Sequence, residues 1–179
     1  MLATYEKVFK DMRITVVTTF HQPGLEQYGQ RFIDSFSKNV DPRIRMVVYA
    51  EKCNPIIPAN DKRIEVRNAE ETLPDLQQFK RIWKDVPKAN GKCPWPERRP
   101  RDNHKEFKWD AVRFANKVYA VFEMARDTET DILVWMDADT VVHSPITYGE
   151  FRLLVPATQW LHYLGRNKKW PECGWYGLT

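Results

Sequence analysis

The sequence predicts an α/β fold, a mostly parallel central sheet flanked by helices, and three observations predict it. Short apolar runs of strand length alternate along the chain with stretches whose apolar residues recur at helical spacing. One run, Ile132-Leu133-Val134-Trp135-Met136, is apolar without interruption, the pattern of a central strand covered on both faces. The length, 179 residues, suits one such domain with a full core rather than two, so residues 1–179 are read as a single domain.

The first strand is expected over Met12–Phe20, where Ile14, Val16 and Val17 supply the apolar run, and Pro23-Gly24 signals a loop beyond it. From Leu25 to Lys38, Leu25, Tyr28, Phe32 and Phe36 recur every three or four positions, as one face of a helix requires. Ile44–Ala50 reads as the second strand and Arg63–Arg67 as a short third. Leu73–Val86 has a helical pattern. Pro87–Pro100 carries four prolines and fits neither regular element, which makes it the most lid-like segment. A strong helix follows, with Phe107, Ala111, Phe114, Val118, Phe122 and Ala125 on one face, and Arg113 and Lys117 together on another. The strand Ile132–Met136 ends at Asp137. Ligands of parallel sheets sit beyond the carboxyl ends of the strands, so Thr18–His21 and Asp137–Asp139 are expected to share one crevice.

Composition excludes several classes. A chain that is 42% hydrophobic and 13% aromatic has the means to build a core, unlike a disordered one. No apolar run approaches the roughly 18 residues that span a bilayer, and the start MLATYEKVFKDMR lacks a signal-peptide core, so a cytoplasmic location is expected. Cys53, Cys93 and Cys173 are odd in number and lack the CxxC spacing of a zinc site, so they are read as free thiols. The net charge of +4 is concentrated between Lys92 and Lys108, in Arg98, Arg99, Arg101, Lys105 and Lys108. That run suits an anionic ligand and equally fits a solvated charged loop. Closure of the Cys93–Lys105 segment over a ligand is the functional expectation for it.

The chemistry is expected at Asp137-Ala138-Asp139. Two carboxylates one residue apart, where a buried strand emerges, can converge on a divalent cation that also takes diphosphate oxygens. Such a cation neutralises the carboxylates and stabilises charge on a departing diphosphate. A polar turn closing the strand is the alternative reading of the same residues.

The segment ILVWMDADTVVHSP, Ile132 to Pro145, resembles the DxD strand of GT-A fold glycosyltransferases, preceded as there by a helix. The resemblance covers the chain from about Met12 onward, and the DxD strand is its specific part. It implies a GT-A-like domain and a metal-dependent transferase using a UDP- or GDP-sugar. Mn²⁺ or Mg²⁺ would be held by Asp139 and, directly or through water, by Asp137. It implies further that Thr18, Thr19 and Phe20 hold the nucleotide, that Arg113 and Lys117 reach the donor, and that Ala138 belongs to the same donor site. Trp170–Leu178 resembles the glycine-containing strand beside the sugar, which brings Gly174 into the donor set. Arg113 and Lys117 are also readable as surface residues of an amphipathic helix. Glu172 is a candidate for contacting sugar or acceptor, against a solvated or salt-bridged acid, and no general base is identified. GT-A enzymes usually continue with another strand, a metal-binding His and an acceptor helix, so a C-terminally truncated or reduced version is expected.

Three other readings compete, of which a sugar nucleotidyltransferase on a related fold is opposed by the missing Gly-rich N-terminal loop, since Gly24 stands almost alone. Asp137-Ala138-Asp139-Thr140-Val141 also fits the nucleophile motif of haloacid-dehalogenase-type phosphatases. That family resemblance places the motif early and requires later acids, whereas only Glu150 and Glu172 follow Asp139. A nucleic-acid surface over Arg98–Lys108, with Trp95, Phe107 and Trp109 for stacking, is opposed by the small net charge and by the lack of a binding motif, so no nucleic-acid partner is expected.

Overall fold

The structure, a computed structural model, describes residues 12–93, 109–156, 158–165 and 172–179. Its strands are β1 (Ile14–His21), β2 (Arg45–Glu51), β3 (Ile64–Asn68), β4 (Ile132–Met136), β5 (Leu161–Leu164) and β6 (Glu172–Leu178). They form one sheet in the order β3-β2-β1-β4-β6-β5. The first four in that order are parallel, and β6 runs antiparallel to both β4 and β5. The chain therefore has the expected α/β class, with a mixed edge beyond β4. All five residues of β4 are buried, as its unbroken apolar run requires.

On one side of the sheet lies α1, a continuous helix made of Gln22–Gly24, a π-helical turn Leu25–Gly29 and Gln30–Asn39. No loop separates it from β1. Pro23 sits in the first turn, where its missing N–H costs no helical hydrogen bond, so the expected turn signal starts the helix instead. The π turn ends at Gly29, against the Phe20 ring. A Cβ added there would meet the ring at 2.9 Å, so only glycine admits this approach. Phe32, Ile33 and Phe36 are fully enclosed between α1 and the sheet. The helix end is closed by Arg63, whose Nη1 donates to the carbonyls of Val40 and Asp41 at 2.8 Å and whose Nη2 donates to Ser37 at 2.7 Å. Carbonyls left over at a helix terminus need such donors, and one guanidinium serves several.

The same side carries α5 (Tyr148–Leu154), begun by a reciprocal capping box between Thr147 and Glu150. After it, Val155 packs onto β6 so closely that a Cβ at Gly177 would lie 2.4 Å from its Cγ1. At the amino ends of the strands Arg13 pairs with Asp131 at 2.9 Å. Hydrogen bonds from the Arg13 side chain and backbone hold the Asp131 carboxyl down to about 2.

The opposite side is covered by α2 (Ala69–Thr72), α3 (Pro74–Trp83) and α4 (Ala111–Met124), with a short 3₁₀ turn at Pro87–Ala89 after α3. Asp110 caps α4, accepting a hydrogen bond from the Arg113 N–H at 3.1 Å. The apolar stripe expected on α4 is present but turned outward. Phe114 is 39% exposed, Val118 48% and Phe122 66%, while Ala115, Ala120, Val121 and Met124 meet the sheet. The stripe's large side chains line, with Leu73, Phe79 and Tyr119, an open groove of about 610 Å³ between α3 and α4. Phe107, the first expected member of the stripe, lies outside the described residues, as do Trp95, Arg98, Arg99, Arg101, Lys105 and Lys108. No described helix is long and apolar enough to cross a membrane, and the three cysteines form no disulfide.

Candidate functional site

Alternation along β4 puts Trp135 and Asp137 on the α4 side of the sheet, with Ala138 directed into the α1-side core. The chain leaves the sheet through a turn closed by a 3.0 Å hydrogen bond from the Thr140 N–H to the Asp137 carbonyl. The Asp137 N–H donates to the Gly174 carbonyl at 2.7 Å, so the turn is also tied to β6. Ala138 is 6% exposed and anchors the turn from below, which leaves Asp139 exposed at its tip.

The Asp137 carboxylate has a defined environment. Its Oδ1 accepts a hydrogen bond from the Trp135 indole N–H at 2.6 Å and an ion pair from Lys117 Nζ at 2.8 Å. Lys117 also donates to the Cys173 carbonyl at 2.8 Å and lies 4.9 Å from the centre of the Trp135 ring. Its side chain is only 18% exposed, so the ammonium is held by an acid, a carbonyl and an aromatic face at once. Tyr176 of β6, the cross-strand neighbour of Trp135, stacks on it at 6.5 Å between centroids. Burial, reinforced by the nearby Asp137 charge, pushes the Tyr176 hydroxyl up to about 12, so it stays protonated at neutral pH.

The other sequence-predicted residues divide. Val17 pairs with Trp135, which puts Thr19 one alternation further on the same face as Asp137. Its Oγ1 donates to the Tyr49 carbonyl at 2.7 Å. Thr18 and Phe20 point to the opposite face, where Thr18 is fully buried and Phe20 is 5% exposed within the α1-side core. Arg113 lies one helical turn before Lys117 and is exposed. Gly174 supplies a carbonyl to the turn, and Glu172 begins β6. Thr19, Lys117, Asp137, Asp139 and Gly174 are thus gathered at the carboxyl ends of β1 and β4 or beside them.

The structure adds residues that the sequence did not single out. Trp135 is a hydrogen-bond donor to the acid, and Tyr176 and the Cys173 carbonyl complete its surroundings. At the end of β2, Glu51 pairs with Lys80 of α3 at 2.6 Å, which places a second helix lysine on a second strand-end acid. Both acids end apolar strands, a visible signal, but their partners lie on other elements and carry no local signature.

Among the described residues no three His, Cys, Asp or Glu side chains cluster as a metal cage. Mg²⁺ and similar ions do not need one, since they keep waters and accept one or two carboxylates together with ligand phosphates. Asp139 at the turn tip and the second Asp137 oxygen fit that donor set, with a diphosphate completing it.

No family model matches the sequence, and no curated protein matches it. Solved structures do match, among them mouse xyloside xylosyltransferase 1 in its apo form, to which the chain is similar. The match covers 92% of this chain at a TM-score of 0.49 and 8% identity. The chain spans 66% of the length of that structure. At this distance no residue role is carried over from it.

Proposed function

We propose that the chain is a glycosyltransferase domain of GT-A type that binds a nucleoside diphosphate sugar at the carboxyl ends of β1 and β4 and transfers the sugar to an acceptor. The observation that carries this reading is the Asp137–Thr140 turn, which presents an exposed acid beside a paired acid at the end of a buried parallel strand. The DxD resemblance of the same segment agrees with it. Asp139 and Asp137 are the residues that would hold Mn²⁺ or Mg²⁺, which would supply positive charge to the diphosphate.

In the transfer the bond from the anomeric carbon to the diphosphate oxygen breaks, a bond to the acceptor oxygen forms, and the acceptor hydroxyl gives its proton to the departing diphosphate or to water. Negative charge grows on the departing diphosphate while the sugar takes oxocarbenium character. Lys117 is held on Asp137 at the edge of that site, within side-chain reach of the charge, and Arg113 reaches solvent on the same helix. A cation that is already on the diphosphate when the bond breaks stabilises the charge as it develops. Thr19 and the backbone of Thr18 and Phe20 border the same edge and are assigned to the nucleotide.

The test is calorimetric titration of UDP, GDP and their sugar conjugates into the wild type and Asp139→Asn, first with Mn²⁺ and then with EDTA. Metal-dependent binding of one nucleotide, lost in Asp139→Asn, is the expected result. Absence of binding by every nucleotide would make the acidic turn a structural strand ending.

A further inference from the structure

We infer that Lys117 is the resident counter-cation of Asp137 and that its transfer from this acid to the donor diphosphate couples metal binding to nucleotide binding. The inference rests on the donor-site reading above and concerns the order in which that site is filled. Asp137 Oδ1 already accepts the Trp135 N–H at 2.6 Å and the Lys117 ammonium at 2.8 Å. A divalent ion on that oxygen would sit in contact range of a largely buried positive charge, an arrangement that repulsion opposes. Asp139 is exposed, and among the described residues no cation pairs with it. The acids of the turn are therefore unequal: without nucleotide the ion meets Asp139 unopposed, whereas at the second oxygen of Asp137 it still faces the Lys117 charge held on the same carboxylate.

A diphosphate changes the balance because it offers Lys117 a second anionic partner. The ammonium has three N–H donors, of which Asp137 and the Cys173 carbonyl use two. Rotation about the flexible stem can redirect it while the Cys173 carbonyl and the Trp135 face still hold the side chain. Once Lys117 serves the phosphate, Asp137 Oδ1 is released to the ion. Nucleotide thus tightens metal through Lys117 as well as through direct coordination, and by linkage metal tightens nucleotide equally. The Lys80–Glu51 pair at the end of β2 differs in having no second acid on a following exposed turn, so the same exchange is not built there.

The experiment measures Mn²⁺ affinity, by the resonance signal of free Mn²⁺, for the full chain with and without saturating UDP or GDP. It compares wild type, Lys117→Met and Asp139→Asn, with folding checked by circular dichroism. The expected result is that Lys117→Met binds Mn²⁺ alone roughly tenfold more tightly than wild type, within the usual range of coupling between sites, and that nucleotide adds correspondingly less. If Lys117→Met does not fold, Lys117→Gln is read in its place, since it keeps a donor for the Cys173 carbonyl. Wild type that binds Mn²⁺ with nucleotide while the neutral variant binds Mn²⁺ alone no better overturns this inference and leaves the donor site standing. Wild type that binds no nucleotide with Mn²⁺ overturns both.

Discussion

On the α1 side of the sheet the enclosed residues are large, with Phe32, Ile33 and Phe36 all fully buried, whereas the α4 residues that meet the other side include Ala115 and Ala120. The aromatic bulk of α4 is turned outward, to Phe114 and Phe122 beside Val118 around the groove, while Met124 stays fully buried with Tyr49 and Leu76 on the sheet side. Small residues let a helix lie close to a sheet. It is from this helix that the Lys117 side chain reaches the Asp137 carboxylate at 2.8 Å. The difference separates two tasks: bulk on the α1 side stabilises the domain, and close approach on the α4 side brings a cation to a strand-end acid.

The largest effect is expected from Phe36→Ala, which opens a cavity on the bulky side under the Arg63 guanidinium. A loss of about 3–5 kcal/mol is expected in urea unfolding, with the wild-type nucleotide affinity retained wherever the variant is folded. Ala120→Leu attacks the other side, forcing a larger side chain into a fully buried contact between α4 and the sheet. It should destabilise by about 1–3 kcal/mol and, unlike Phe36→Ala, also weaken nucleotide binding by moving Lys117. Equal binding losses in the two variants would erase the division of tasks. The smallest effect belongs to Phe122→Ser, at a side chain that is already 66% exposed. Its unfolding free energy should stay within about 0.5 kcal/mol of wild type; a loss near that of Phe36→Ala would mean that the outward stripe is a second core.

Much of this was legible in the sequence, and the limits have physical causes. β1, β2, β3 and β4 stand close to their expected positions because apolar runs of strand length bounded by turn residues have few other uses. The Thr147/Glu150 capping box is a sequence signature, yet the seven-residue helix after it is too short for periodicity to reveal. The α4 stripe illustrates a sharper limit. The helix has two apolar arcs, one bulky and one small, and periodicity finds both without choosing which meets the sheet. The acidic turn was readable, since Asp137 and Asp139 end an unmistakable strand. Its electrostatics were not, because Lys117, Asp137 and Cys173 lie on three separate elements. The face occupied by Thr18 and Phe20 depends likewise on the register of β1 against β4, which is a tertiary fact.

The backbone bond between Asp137 and Gly174 also sets an order of assembly. The pairings among β1 to β4 involve no residue beyond 136, so they become possible once that residue is free to fold. The acidic turn can close locally through Thr140, but it is tied to the sheet edge only when Gly174 supplies its tether and Cys173 a partner for Lys117. During vectorial synthesis the sheet's parallel half therefore precedes the tethered turn, and a growing chain halted before Cys173 holds Asp137 without its β6 tether.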